Sequence, residues 1–230
     1  MRRIWAALIF LVGFESLSFA YPPTLKQTFI KTGQCPKCDF SAQDFKGLKL
    51  TGVNLLGARL WRTDFSSADL SQADFHTADM EEAFCNDAKF PKSNFKSAFL
   101  NRSYFKRADL SDSQLNWAQA EQTWFDQSNL AGADLSNGVF YRARFVGADL
   151  REAKLKGAIL VEVNLAEADL RGADLREAVL AGANVEKANF EGANLEGALW
   201  TNGLPCLAGS LGRCVTSEQF IPKPKKTLWD

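Results

Sequence analysis

Residues 166–200 read AEADL RGADL REAVL AGANV EKANF EGANL EGALW, seven five-residue units set end to end. Each unit closes on an apolar residue, from Leu170 through Val185 and Phe190 to Trp200, and two residues before each closing position stands an alanine. Followed toward the N-terminus, the register holds without a break to Phe40. That makes 33 closing positions, of which only Ala120 is small. The residue two before is most often Ala, and otherwise commonly Ser, Thr or Gly. A period of five matches neither the 3.6 of a helix nor the 2 of a flat strand. A backbone that repeats a short extended piece and a turn meets it, and such a backbone winds into a solenoid.

The unit is A-(D/N)-L-x-x, as in Ala68-Asp69-Leu70, Ala133-Asp134-Leu135, Ala148-Asp149-Leu150, Ala173-Asp174-Leu175 and Ala193-Asn194-Leu195. This tandem pattern resembles the pentapeptide-repeat family over residues 38–202, about 70% of the 230-residue chain. The resemblance implies an all-β fold, a right-handed, four-sided parallel β-helix of about eight coils with short non-repeat end caps. In physical terms, the Leu or Phe of each unit fills the centre and the preceding Ala turns inward at a corner that admits only a small side chain. The other three positions face water. Asp or Asn occupies the residue before the centre in 18 of the 33 units. These side chains tolerate turn geometry and bond nearby backbone N–H groups.

Residues twenty apart share character, which points to four units per coil. Phe stands at 45, 65, 105, 125 and 145, with Cys85 as the gap. Among outward positions, 99, 119, 139, 159, 179 and 199 are Phe, Gln, Val, Ile, Val and Leu, and another column holds Phe84, Tyr104 and Trp124. Stacked at about 4.8 Å, the coils make a rod of roughly 40 Å. Between Leu115 and Phe125, Ala120 in a large slot would open a cavity costing about 2–5 kcal/mol if unfilled. Either a local bend or bulge is expected there, with Trp117 or Trp124 helping to close the gap, or the rod stays regular and carries an exposed Trp pair.

Both ends of a solenoid need covers. Residues 21–37 are expected to form an N-terminal cap, with one helical turn around Leu25 to Ile30. Residues 203–230 form the C-terminal cap, any helix in it being short and within Ser217 to Ile221.

Residues 1–20 read as a cleavable signal peptide: Arg2 and Arg3, an apolar run from Ile4 to Phe14, and small residues Ser18 and Ala20 before the cut. No later stretch is apolar and long enough to cross a membrane. The protein is therefore expected to be exported, periplasmic or secreted, with no membrane association after cleavage. Lys+Arg and Asp+Glu are 27 each, a net charge of zero, so no global field draws the chain to nucleic acid.

In an oxidising compartment Cys206–Cys214 and Cys35–Cys38 are candidate disulfides. Cys35-Pro36-Lys37-Cys38 also admits a redox reading, and Cys85 reads as an inert buried thiol. Zinc is disfavoured, because the two cysteine pairs lie at opposite ends of the rod. His76, the only histidine, falls in an outward position and supports no catalytic triad. The Asp ladders belong to the repeat turn. No catalytic residue, metal or cofactor is assigned.

The most suggestive surface is the outer column Val139, Ile159, Val179 and Leu199, flanked by Tyr141, Val161 and Ala181. A contiguous apolar patch marks a partner or a covering segment, here a protein client, a second copy, or the chain's own 203–230 tail. The expected function is that of a non-enzymatic scaffold or protein-binding module. Some members of the family mimic DNA and protect type II topoisomerases, but an export signal and balanced charge argue against that role here.

Overall fold

A computed structural model describes residues 23–216. The expected signal peptide at 1–20 and the short helix expected within Ser217 to Ile221 lie outside the described residues. Each unit repeats one conformation: two turn residues, one extended residue, one bridge residue and the closing residue. Every parallel bridge among the described residues joins residue i to residue i+20, from Gln34–Asn54 to Val179–Leu199. Four units therefore close one coil. The strands are single bridge residues rather than continuous β-strands, because a corner interrupts the chain every fifth residue.

The corners carry the backbone's special geometry. At the second turn residue of every unit, from Lys37 to Gly197, φ is positive, and 23 of these residues are not glycine. The following N–H closes the turn on the carbonyl of the closing residue, as in Ala73 to Leu70 (3.1 Å), a pattern of type II form. Asp and Asn tighten it by accepting the N–H two residues on, as Asp64 does from Ser66 (2.8 Å) and Asn194 from Glu196 (3.1 Å).

The core is a central column of buried closing residues, edged by the small residues two before them. Phe45 stacks on Phe65 (5.4 Å), and Phe105 on Phe125 (5.3 Å) and Phe125 on Phe145 (4.8 Å), so the phenylalanine column expected at 20-residue spacing is a run of stacked rings. Cys85, fully buried, sits at its gap.

The expected bend at Ala120 is absent. The turn pattern passes through residues 115–125 unchanged, and Ala120 N–H bonds the Val139 carbonyl at 2.7 Å. Trp117 and Trp124 do not fill the core; they are 57% and 42% exposed. Phe140 follows Ala120 in the same column, and its ring reaches Phe125 (6.3 Å). The one small residue of this column, which otherwise runs Phe40, Leu60, Met80, Leu100, Leu160 and Leu180, thus has a large ring in the next coil. Phe140 itself needs Gly138, whose added Cβ would fall 2.6 Å from the ring's Cε2.

Helix α1, Pro23–Thr32, covers the N-terminal end and is ten residues long rather than one turn. Phe29 plugs the first coil against Phe40 (5.1 Å) and Phe45 (5.7 Å). Lys26 donates to the Asp44 carbonyl and lies over the Phe45 ring. Gly33, at φ 68, ends the helix by donating to Phe29 O at 2.7 Å. Winding begins at Gln34, one unit before residue 38, so that Cys35 takes an inward slot at 5% exposure.

At the other end the chain reverses. Residues 203–212 run back across the last coil, with antiparallel bridges Leu199–Pro205 and Asn194–Leu211. Cys206 is bonded to Cys214 (Cα–Cα 5.0 Å), and Leu207 N–H bonds Val215 O at 2.8 Å.

Gly138→Ala should destabilise the solenoid by about 1–3 kcal/mol, since the added methyl would fall 2.6 Å from the buried Phe140 ring and 3.2 Å from the Leu135 carbonyl and force one of them to shift. Denaturant unfolding checks this; an unchanged midpoint would show that the ring can shift freely.

Candidate interaction face

The Val139 column is built by the ladder. Val139 bridges Ile159, Ile159 bridges Val179, and Val179 bridges Leu199. Their backbone groups are spent along the axis, as in Ile159 N–H to Gly138 O (2.9 Å) and Leu160 N–H to Val179 O (2.7 Å). Only side chains remain to face a partner. Ile159 and Leu199 are each 39% exposed, and Val139 and Val179 are half-buried.

Tyr141 and Val161, both half-buried, stand at the next corner. Arg142 lies 4.8 Å from the centre of the Tyr141 ring and pairs with Glu162 at 2.7 Å. Arg142 thus lies over one face of the Tyr141 ring. Toward the N-terminus the same face continues through Gln119 to an exposed Phe99, then turns charged at Asp79, Arg59 and Asp39. The described part of the C-terminal cap crosses the end of the rod at Leu199 and leaves the Val139–Val179 stretch uncovered.

One corner away runs a second apolar feature. Phe84 stacks on Tyr104 (5.3 Å, 4° between planes), Tyr104 meets Trp124 (5.9 Å), and Arg144 lies over Trp124 at 4.8 Å. Asp126, buried, fixes Arg144 (2.9 Å) and accepts the Val146 N–H (3.0 Å). The 20-residue spacing of Phe84, Tyr104 and Trp124 signals this ladder. Nothing in the spacing shows that the rings turn their faces toward one another rather than toward solvent.

The remaining candidates are structural. Cys35 and Cys38 are joined (Cα–Cα 5.4 Å) and follow the C-terminal end of α1, whereas thiolates are stabilised at a helix's N-terminal, positive end. Burial pushes the Cys85 thiol well above its usual range. His76 is half-buried, and its Nδ1 lies 2.8 Å from Lys96 O in the next coil. Among the described residues no group of three His, Cys, Asp or Glu is placed to hold a metal. A shallow groove lined by Ser111, Asp112, Gly132, Arg151, Glu152 and Arg171 lies away from the Val139 face.

The acidic side chains are interleaved with bases. Asp149, Asp169 and Asp174 each bind the arginine two residues on, Arg151, Arg171 and Arg176, at 2.6 Å, and each hydrogen bond holds the carboxyl below its ordinary range. Between coils, Arg107 pairs with Asp87 (2.6 Å) and Arg62 with Glu82 (3.0 Å). These pairs break up what would otherwise be acidic ladders.

A family model described as pentapeptide repeats matches the chain in eight copies spread over residues 38–197. Comparison with curated proteins finds no match. Among solved structures, HetL, a pentapeptide repeat protein involved in heterocyst differentiation regulation in the cyanobacterium Nostoc sp. strain PCC 7120, is 22% identical. That likeness covers 79% of this chain and 97% of HetL, with a TM-score of 0.34. QnrB1, a plasmid-mediated fluoroquinolone resistance protein, is 18% identical over 70% of this chain and 76% of its own, with a TM-score of 0.46. A pentapeptide repeat protein of the Arabidopsis thaliana thylakoid lumen is 22% identical over 72% of this chain and 68% of its own, with a TM-score of 0.25.

Carboxyls held low when folded add stability that is present above the unfolded carboxylate range and is lost as pH falls through the folded values. Melting temperature should therefore drop as pH is lowered below about 4. The triple variant Asp149→Asn, Asp169→Asn, Asp174→Asn keeps the turn acceptor and loses the charge, so its curve should fall less steeply. Parallel curves for the two proteins would show that these pairs add nothing.

Proposed function

The chain belongs to the pentapeptide-repeat family, and from that membership we propose that it is an exported, non-enzymatic β-solenoid that binds another protein chain through the Val139–Leu199 face. Its coils are taken to wind right-handed, as the family resemblance implies. Residues 1–20 direct export and are removed, and the module then works in the periplasm or outside the cell.

The observation that carries this reading is the unbroken apolar column on a rod whose neighbouring outward positions are largely polar or paired. Isolated apolar residues on a surface are ordinary. Four in a row at coil spacing form one ridge that water wets poorly and that a complementary surface can cover. The paired acids and arginines leave no continuous negative face of the kind a DNA mimic needs, which weighs against nucleic-acid-like binding. The disulfide at Cys35–Cys38, partly sunk in the first coil, fits a staple better than a redox centre.

Cross-linking in the exported fraction, followed by capture of the tagged chain, tests the face. Ile159→Glu with Val179→Glu should abolish the cross-linked species while the melting temperature stays within a few degrees of wild type. Identical cross-linking profiles would refute the face, and recovery of the chain only from the cytosol would refute the compartment.

A further inference from the structure

We infer that the C-terminal end of the rod carries a second binding site, an open β-edge over residues 183–190 that takes an extended, basic segment of another protein as an added strand. The site is separate from the Val139 face and stands or falls without it.

A row of backbone groups is left unpaired there. One coil earlier, Leu165, Glu167 and Leu170 N–H donate to Asn184, Glu186 and Asn189 O at 2.8, 2.8 and 2.7 Å, and Val163 and Ala168 O accept from Asn184 and Asn189 N–H, both at 2.9 Å. In the last coil the equivalent groups are the N–H of Val185, Lys187 and Phe190 and the C=O of Ala183 and Ala188. These have no hydrogen-bond partner among the described residues. The core opens at the same place. Leu165 and Ala168 are 1% exposed, whereas Val185 and Ala188 above them are only half-buried.

The chain itself demonstrates how such an edge is filled. On the other half of the same coil, residues 193–200, its returning strand provides the partners. Leu195 N–H bonds Ser210 O (2.9 Å), Gly197 N–H bonds Cys206 O (3.0 Å), and Ala193 and Ala198 O accept from Gly212 and Cys206 N–H (both 2.8 Å). That strand is antiparallel and crosses one corner, from Leu199–Pro205 to Asn194–Leu211. It does not pass on to the open half. The Cys206–Cys214 bond turns the chain back beside its own strand, where Leu207 N–H meets Val215 O (2.8 Å).

The pattern of the edge specifies its occupant. Donors and acceptors recur along it at ladder spacing, and an extended backbone matches both. An edge of this kind is a template for another chain. Inward residues of the added strand would rest on Val185 and Phe190 and must be apolar, and small beside Ala183 and Ala188. Outward, Glu186 and Glu191 flank the open sides. Lys187 between them is already drawn to Glu167 (3.7 Å) and Glu186 (3.9 Å). Lysine or arginine at the outward positions of the added strand is therefore favoured, since opposite charges across a strand pair stabilise it.

Amide hydrogen exchange, read residue by residue by NMR on the purified chain, tests the site. The probe is a synthetic peptide of about seven residues alternating Lys and Val, long enough to cross one corner. Val185, Lys187 and Phe190 should exchange fast in the free chain and about tenfold or more slower with saturating peptide. Leu165, Glu167 and Leu170 should stay slow in both. The same peptide N-methylated at the amides that face the edge keeps its side chains and should protect nothing. Val185→Pro removes one donor without breaking a bond of the ladder. It should weaken peptide binding about fivefold. Ile159→Glu with Val179→Glu should leave peptide binding unchanged, which separates this site from the Val139 face. If Val185→Pro melts early, the N-methylated peptide carries the same information. Slow exchange at 185, 187 and 190 in the free chain would overturn the open edge, showing it already covered by the chain or by a second copy. Fast exchange that the Lys–Val peptide leaves unchanged, or equal protection by the N-methylated peptide, would overturn strand addition. Loss of peptide binding in the Ile159→Glu, Val179→Glu chain would overturn the site as well, placing the peptide on the side of the rod.

Discussion

The structure depends on one register, the hydrogen bonding of each coil to the coil twenty residues away. Backbone polar groups removed from water must be paired, and here, apart from one turn bond at each corner, they are paired along the axis. That requirement fixes the coil at four units and places like positions above one another. It also sets the corners. A left-handed residue costs most side chains energy, yet 23 of the 33 corners accept one. Glycine is therefore not what makes the corner; the ladder imposes it, and the Asp and Asn turn acceptors make it tolerable.

Most of the architecture is legible in the residues alone. The five-residue period locates every inward residue from Phe40 on, and the twenty-residue period finds both the Phe45–Phe145 stack and the Val139 column. What it does not reach lies where the repeat stops or neighbours decide. The length of α1 follows from Phe29 reaching Phe40 and Phe45, a tertiary contact with no periodic signature. Cys35 reads as a flank residue because a cysteine in a leucine slot does not announce itself. The regular backbone at Ala120 depends on Phe140 one coil on and Gly138 beside it, a volume exchange that a single slot does not reveal. The reversal at 203–212 has no counterpart in the repeat at all.

The surface is chemically quiet for a physical reason. Residues one coil apart stand within reach of each other, so a carboxylate on one coil commonly meets an arginine of its own or the next. Charges that might have summed into a field cancel locally. Distinction then falls to the few columns where pairing gives way to apolar side chains, the Val139 ridge and the Phe84–Trp124 ladder. The rings of the second stack on one another, whereas the aliphatic side chains of the first run unbroken to the last coil.

Because corners recur every five residues and coils every twenty, the interior and the exterior are read in different frames. An insertion or loss of one unit would leave every inward residue inward, and the core would register nothing. Everything downstream would nevertheless be turned by a quarter of the rod, and Val139, Ile159, Val179 and Leu199 would sit above a different side. Only a change of whole coils leaves both intact. The face is thus held in place by a counting rule that packing does not enforce, and a lineage of such rods can carry its binding surface around the axis while its core stays the same.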